Sequence, residues 1–190
     1  IVSRVALAYC KGIRKHGVIP TVKHFPGLGR VGKDTHIFSA ELDTDMDLLR
    51  KNDWVPFRHI LENSDAFMML AHVVLPKIDP DNPVSHSYGV VQGIIREEWE
   101  HDGILITDDL TMGAITSVGL TPETFLKAFE AGNDLLLFSQ TTPLAGEAFD
   151  VMIAAARKSP ALRRRVDESV QRILALKNRI EFIPLQYRAH

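Results

Sequence analysis

Three short stretches of this chain carry side chains that can move a proton or attack carbon. The first, KHFPGLGRVGKDTH at residues 23–36, ends an apolar run in Lys23-His24, bends through Pro26, Gly27 and Gly29, and then presents Asp34-Thr35-His36. Two residues apart in an extended loop, Asp34 can accept a ring N–H from His36. Such a pair orients the imidazole and favours its protonated form, the setting of a general acid/base. The plain alternative is a capped surface turn. The second stretch, ILITDDLTMGA, sets Asp108 and Asp109 directly after Ile104-Leu105-Ile106. Paired acids at a strand end serve as nucleophile, base or metal ligand, and Asp109 by itself also suits a helix cap. The third is His72, just past the apolar run from Ala66 to Ala71. A metal centre would recruit His24, His36, His72 and Asp108. No His-x-x-x-His or Cys-x-x-Cys spacing supports one, so neither a metal nor another cofactor is expected.

The elements that must position these residues are legible in the apolar pattern. Strand-length runs occupy Val18 to Val22, Ala66 to Ala71, Ile104 to Ile106 and Leu135 to Phe138. None alternates apolar with polar, which predicts a parallel sheet covered on both faces. Helical segments lie between them. Thr121-Pro122, Thr142-Pro143 and Ser159-Pro160 each place a capping hydroxyl before a proline suited to a first helical turn. Pro56 should split the segment from Asp45 to Asn63 into two helical pieces. The last helix repeats apolar residues at Leu162, Val166, Val170, Ile173, Leu174 and Leu176, one face of a 3.6-residue period. Strand-helix repeats admit an open doubly wound sheet or a (β/α)8 barrel. No Gly-x-Gly-x-x-Gly fingerprint or P-loop follows any strand, whereas His24, His72, Asp108 and Ser139 each fall at a strand end. Several strand ends offering polar groups fit the barrel. The expected fold is therefore α/β, about four strand-helix units forming part of a (β/α)8 TIM-type barrel in a single domain over residues 1–190.

Composition narrows the function classes. With 45% hydrophobic and 24% charged residues and a net charge of −2, the chain is neither disordered nor marked for nucleic acid. Arg163-Arg164-Arg165, followed by Asp167 and Glu168, reads as the solvated face of a helix. The single cysteine, Cys10, excludes an internal disulfide framework and reads as a small core residue. No apolar run approaches the ~20 residues that span a bilayer, so no membrane insertion is expected. The chain begins with Ile1 rather than Met, so a missing leader says little about compartment. A cytoplasmic location is the working expectation, with a periplasmic or secreted one as the alternative.

Taken in order, Lys23-His24-Phe25-Pro26-Gly27-x-Gly29, Asp34-Thr35-His36 and Thr107-Asp108-Asp109-Leu110-x-Met112 closely resemble the family 3 glycoside hydrolases. More narrowly, they resemble its β-N-acetylglucosaminidase branch of the NagZ type. The likeness extends through AHVVLPKIDPDNPVSHS and RVDESVQRILALK, nearly the whole chain. The Asp-x-His element marks that branch within the family. The resemblance implies that Asp108 is the nucleophile that forms a glycosyl-enzyme, and that His36 is the general acid/base with Asp34 as its partner. It implies Lys23 and His24 as ligands to sugar hydroxyls, with His72 and Met112 as pocket walls. Leu28 stands where many members carry a second histidine, a change expected to affect loop packing rather than chemistry. The implied partner is a glycan or muropeptide bearing terminal β-linked N-acetylglucosamine, processed in peptidoglycan recycling.

Length is the main departure from the resembled family. A full barrel takes about 250 residues, and members carry earlier strands with a sugar-binding aspartate and arginine. The chain is therefore expected to be the C-terminal portion of the catalytic barrel. It would be inactive alone and would pair as a homo-oligomer or with a separate N-terminal half-barrel. The competing readings are another family 3 activity, a β-glucosidase or a phosphorylase, and a non-catalytic sugar-binding or assembly module.

Overall fold

A computed structural model describes residues 1–32, 40–116, 119–140 and 143–179. Its centre is a parallel four-stranded sheet of β1 (Thr21–Phe25), β3 (Phe67–Leu70), β6 (Leu105–Asp109) and β7 (Leu135–Leu137), side by side in chain order. Helical segments connect successive strands, so the sheet is one sector of a βα barrel. A smaller sheet, not foreseen from the sequence, joins β2 (Ala40–Glu41), β4 (Val73–Leu75) and β5 (Asp79–Pro83).

The first strand runs three residues later than the apolar run suggests. Val18 is 59% exposed, and pairing with β3 begins at Thr21 against Phe67. Lys23 and His24 thus lie inside the strand, and Asp108 likewise lies within β6 rather than after it. Burial on both faces also needs correction. Met68, Leu70, Leu105 and Thr107 are buried, while Phe67, Met69 and Ile106 are only half-buried. Side chains alternate along a strand, so Ile106 and Asp108 share the half-open face.

Local signals account for most helix boundaries. α1 (Val2–Lys15) packs on α3 (Val55–Asn63), burying Cys10 with Ile60 and Ala66. Pro56 stands in the first turn of α3, and the helical pieces before it are α2 (Met46–Leu48), capped by Asp45, and a π-helical turn at Leu49–Asp53. A second π-helical stretch, Gly89–Glu98, turns Val90, Val91, Ile94 and Ile95 into the core. After β6 come α4 (Gly113–Thr116), α5 (Pro122–Ala131), α6 (Pro143–Lys158) and α7 (Pro160–Lys177). Thr121 and Ser159 accept from the amides of Thr124 and Leu162, the expected caps; Thr142 lies outside the described residues. α5 stops at Gly132, whose φ of +123° a side chain rarely adopts and whose Cβ would meet Gln92 at 2.5 Å.

The apolar stripe of α7 is only partly covered: Leu162 is buried, but Val170 and Leu174 are 44% and 52% exposed. The arginine cluster on that helix also departs from a solvated face. Arg163 and Arg164 are exposed, whereas Arg165 turns inward to Asp134. Asp134, just before β7, has a fully buried carboxylate. It receives Arg96 at 2.7 Å, Arg172 at 3.2 Å, Arg165 at 3.3 Å, the Ser169 hydroxyl at 2.7 Å and the Leu105 amide at 3.0 Å. Burial alone would raise its pKa; the Arg96 charge, the Leu105 amide and the Ser169 hydroxyl outweigh that and hold it below the ordinary range. This hub joins the starts of β6 and β7 at the end of the sheet opposite Asp108. In βα barrels that end serves stability.

Two histidines largely withdrawn from water, His86 buried and His101 half-buried, make the fold sensitive to acid. Burial pushes His86 down to about 3 and His101 down to about 4. The unfolded chain binds these protons at about pH 6.5, the folded chain only well below, so stability rises with pH across the interval between. The urea midpoint should fall steadily from pH 7 to pH 4.5. A flat midpoint over that range would contradict the burial of these rings.

Candidate functional site

Phe25, fully buried, anchors the end of β1 in an aromatic cluster with Trp54, Phe57 and Trp99, each at a ring-centroid distance of 5.4 Å. Before it in the strand, His24 is half-buried and Lys23 exposed. The Lys23–His24 and Phe25–Pro26 peptide bonds are cis. The turn closes with the Gly27 amide on the His24 carbonyl at 2.8 Å. Beyond it, Leu28 and Val31 pack on the main core, and Arg30 grips both carboxylate oxygens of Asp53 at 2.9 and 3.1 Å. Leu28 therefore serves packing at the position where the resemblance anticipates a histidine. Asp34 and His36 lie outside the described residues.

Two strands away, Asp108 emerges on the half-open face of the sheet with its side chain 14% exposed. Its Oδ1 accepts the Asp109 amide at 2.9 Å, and its Oδ2 faces His24 Nε2 at 3.8 Å. One oxygen is fastened by the strand itself and the other is turned toward β1. Asp108 and His24, two separate candidates in the sequence, are thus brought together.

Asp109 does not cap a helix. Its carboxylate accepts the Thr111 amide at 2.9 Å, the Thr111 hydroxyl, the Ser139 amide at 3.2 Å and the Ser139 hydroxyl. It therefore ties the end of β6 to the chain leaving β7. Burial would raise its pKa, but the Ser139 and Thr111 donors prevail and hold it low. Met112 follows in the same turn, 9% exposed, its amide on the Asp109 carbonyl at 3.1 Å. His72 needs the larger correction. It is 1% exposed, and both ring nitrogens are engaged internally, so in this structure it does not line an open surface. Among the described residues, no three His, Cys, Asp or Glu side chains gather to hold a metal ion, and no helix is long and apolar enough to cross a membrane.

The sequence reading missed Asp134 and its arginines. A lone acid before an apolar run carries no local signal of three cations arriving from two helical segments.

Comparison with known proteins places this geometry. The family described as "Glycosyl hydrolase family 3 N terminal domain" matches residues 1–176. A beta-hexosaminidase of Idiomarina loihiensis is 31% identical over 97% of this chain and 54% of its own length. Among solved structures, a family 3 beta-N-acetylglucosaminidase from Paenibacillus superposes with a TM-score of 0.86 at 35% identity. That match covers 93% of this chain and 34% of the other. A beta-glucoside phosphorylase superposes with a TM-score of 0.82 at 28% identity, over 97% of this chain and 35% of its own. The chain spans about half the length of the curated relatives it matches.

Proposed function

Because this chain belongs to glycosyl hydrolase family 3, we propose that it carries the nucleophile and the acid/base loop of a retaining β-N-acetylhexosaminidase. The substrate would be a glycan or muropeptide ending in β-linked N-acetylglucosamine. The observation that carries the reading is the carboxylate of Asp108, with one oxygen fastened by the Asp109 amide and the other turned to His24 on the half-open face.

In this reading, Asp108 Oδ2 attacks the anomeric carbon as the bond to the leaving oxygen breaks, and His36 gives that oxygen its proton. Water then attacks the glycosyl-enzyme, His36 takes back a proton, and the Asp108 carboxylate is released. Retaining enzymes usually pair two carboxyls. A histidine in the donor's place is neutral once it has given up its proton, so it adds no second negative charge beside Asp108. Lys23 and His24, adjacent on β1, would hold sugar hydroxyls, and Met112 would border the ring.

The edges of β1 and β7 pair with no further strand among the described residues, and Val5, Tyr9 and Leu174 are exposed. Pairing with a further half-barrel, or with a second copy, belongs to the same proposal. So does a role in peptidoglycan recycling inside the cell.

His36→Ala should slow a natural disaccharide by roughly 10²–10⁴-fold while sparing an activated nitrophenyl glycoside, because proton donation matters only when the leaving oxygen is basic. Asp34→Ala should show the same pattern more weakly. Equal losses on both substrates would remove His36 from the acid/base role. The structural likeness to a phosphorylase favours one second reading, in which phosphate replaces water in the second step. Products formed in phosphate buffer separate the two, since hydrolysis gives free sugar and phosphorolysis a glycosyl phosphate.

A further inference from the structure

Behind Asp108 runs a buried hydrogen-bond chain that the chemistry above does not use. His72 Nε2 lies 3.0 Å from the Asp109 carbonyl oxygen, and its Nδ1 lies 2.7 Å from Ser85 Oγ. Ser85 Oγ in turn lies 2.8 Å from His86 Nδ1. All three side chains are buried, at 1%, 0% and 5% exposure.

The direction of this chain follows from its ends. A carbonyl only accepts, so the hydrogen of His72 sits on Nε2. Burial pushes the His72 pKa down, so the ring stays neutral and Nδ1 is bare. The Ser85 hydroxyl must then donate to that nitrogen, and its oxygen accepts from His86 Nδ1–H. Each donor faces an acceptor from His86 through Ser85 and His72 to Asp109. The Ser85 backbone is pinned as well, its carbonyl accepting Asn133 Nδ2 at 2.8 Å and its amide donating to Ala71 at 3.3 Å.

Asp109 is thus held twice, by its carboxylate on Thr111 and Ser139 and by its carbonyl on His72 and the Met112 amide. What remains is its N–H, aimed at Asp108 Oδ1 at 2.9 Å. We propose that His72, oriented by Ser85 and His86, is a positioning residue for the nucleophile: by fixing Asp109 it fixes the amide that fastens Oδ1, and so the direction in which Oδ2 attacks. The inference rests on reading Asp108 as the nucleophile. A buried ring with no atom turned toward the sugar acts on the rate of attack rather than on binding.

The test uses the protein expressed from its complete coding sequence and compares His72→Phe, His72→Gln and Ser85→Ala. Active sites are first titrated with a fluorinated N-acetylglucosaminyl trap, so that misfolded protein does not enter the rate. Per titrated site, His72→Phe should lower the rate of glycosyl-enzyme formation about 10–100-fold, with KM within about two-fold, as expected for a misplaced reacting group. His72→Gln keeps an N–H within reach of the Asp109 carbonyl and should recover most of the loss. Ser85→Ala, which leaves His72 in place but unoriented, should fall between, and it carries the test if His72→Phe does not fold. Equal impairment of the Phe and Gln variants, or wild-type rates per site in Ser85→Ala, would overturn the positioning role. Trapped label found away from Asp108 would overturn the nucleophile reading and this inference together. Label on Asp108 with unaltered rates would overturn only the inference.

Discussion

Replacing Asp108 with alanine is expected to lower kcat/KM by on the order of 10⁵-fold, with little change in the affinity for N-acetylglucosamine. The loss is large because no neighbouring group can take over the attack. Asp109, the adjacent acid, has its carboxylate committed to Thr111 and Ser139 and is tied back toward β7. Removing a nucleophile that forms a covalent intermediate costs several powers of ten, whereas sugar binding rests on other contacts. The cavity left by the carboxylate should also admit a small anion. Azide should then restore part of the turnover and give a glycosyl azide of inverted configuration, since the added nucleophile attacks once. Mass spectrometry of the trapped wild-type protein completes the measurement, and a label on Asp109 would refute the assignment.

Asp134→Ala should be the most damaging substitution for stability. The alanine removes the carboxylate that Arg96, Arg165 and Arg172 share, leaving Arg172 its second partner Asp102, and deprives the Leu105 amide and the Ser169 hydroxyl of their acceptor. Removing one side of a buried ion pair costs roughly 3–5 kcal/mol. In a chain of this size that is a fall in Tm on the order of 10 °C. Asp134→Asn keeps the acceptor for Leu105 but loses the charge, so it should also destabilise, by less. Differential scanning fluorimetry at pH 7.5 reads both, and an unchanged Tm in the alanine variant would show that the hub contributes nothing net.

Much of the site was legible in the chain because its signals are local. Asp108 and Asp109 are adjacent, Asp34 and His36 are two apart, and Lys23 and His24 are neighbours, so spacing marked them as candidates; their separate roles were implied only by the resemblance to family 3. Thr121 and Ser159 were readable as caps because a cap acts on amides three residues ahead. The four strands of the central sheet and their parallel pairing followed from apolar runs alternating with helical periods, since a strand-helix unit folds largely within its own segment.

Tertiary structure decided whatever depends on partners distant in sequence. His72 reads as a pocket wall beside a strand end, yet it donates to a carbonyl 37 residues away and vanishes from the surface. Asp109 reads as a cap, yet Ser139, 30 residues on, claims its carboxylate. Arg165 reads as solvated among two other arginines, yet Asp134, 31 residues before it, turns it inward. In each case the residue type allowed both outcomes. The choice fell to burial, because a polar group removed from water must find a partner, and the fold determines which partner is within reach.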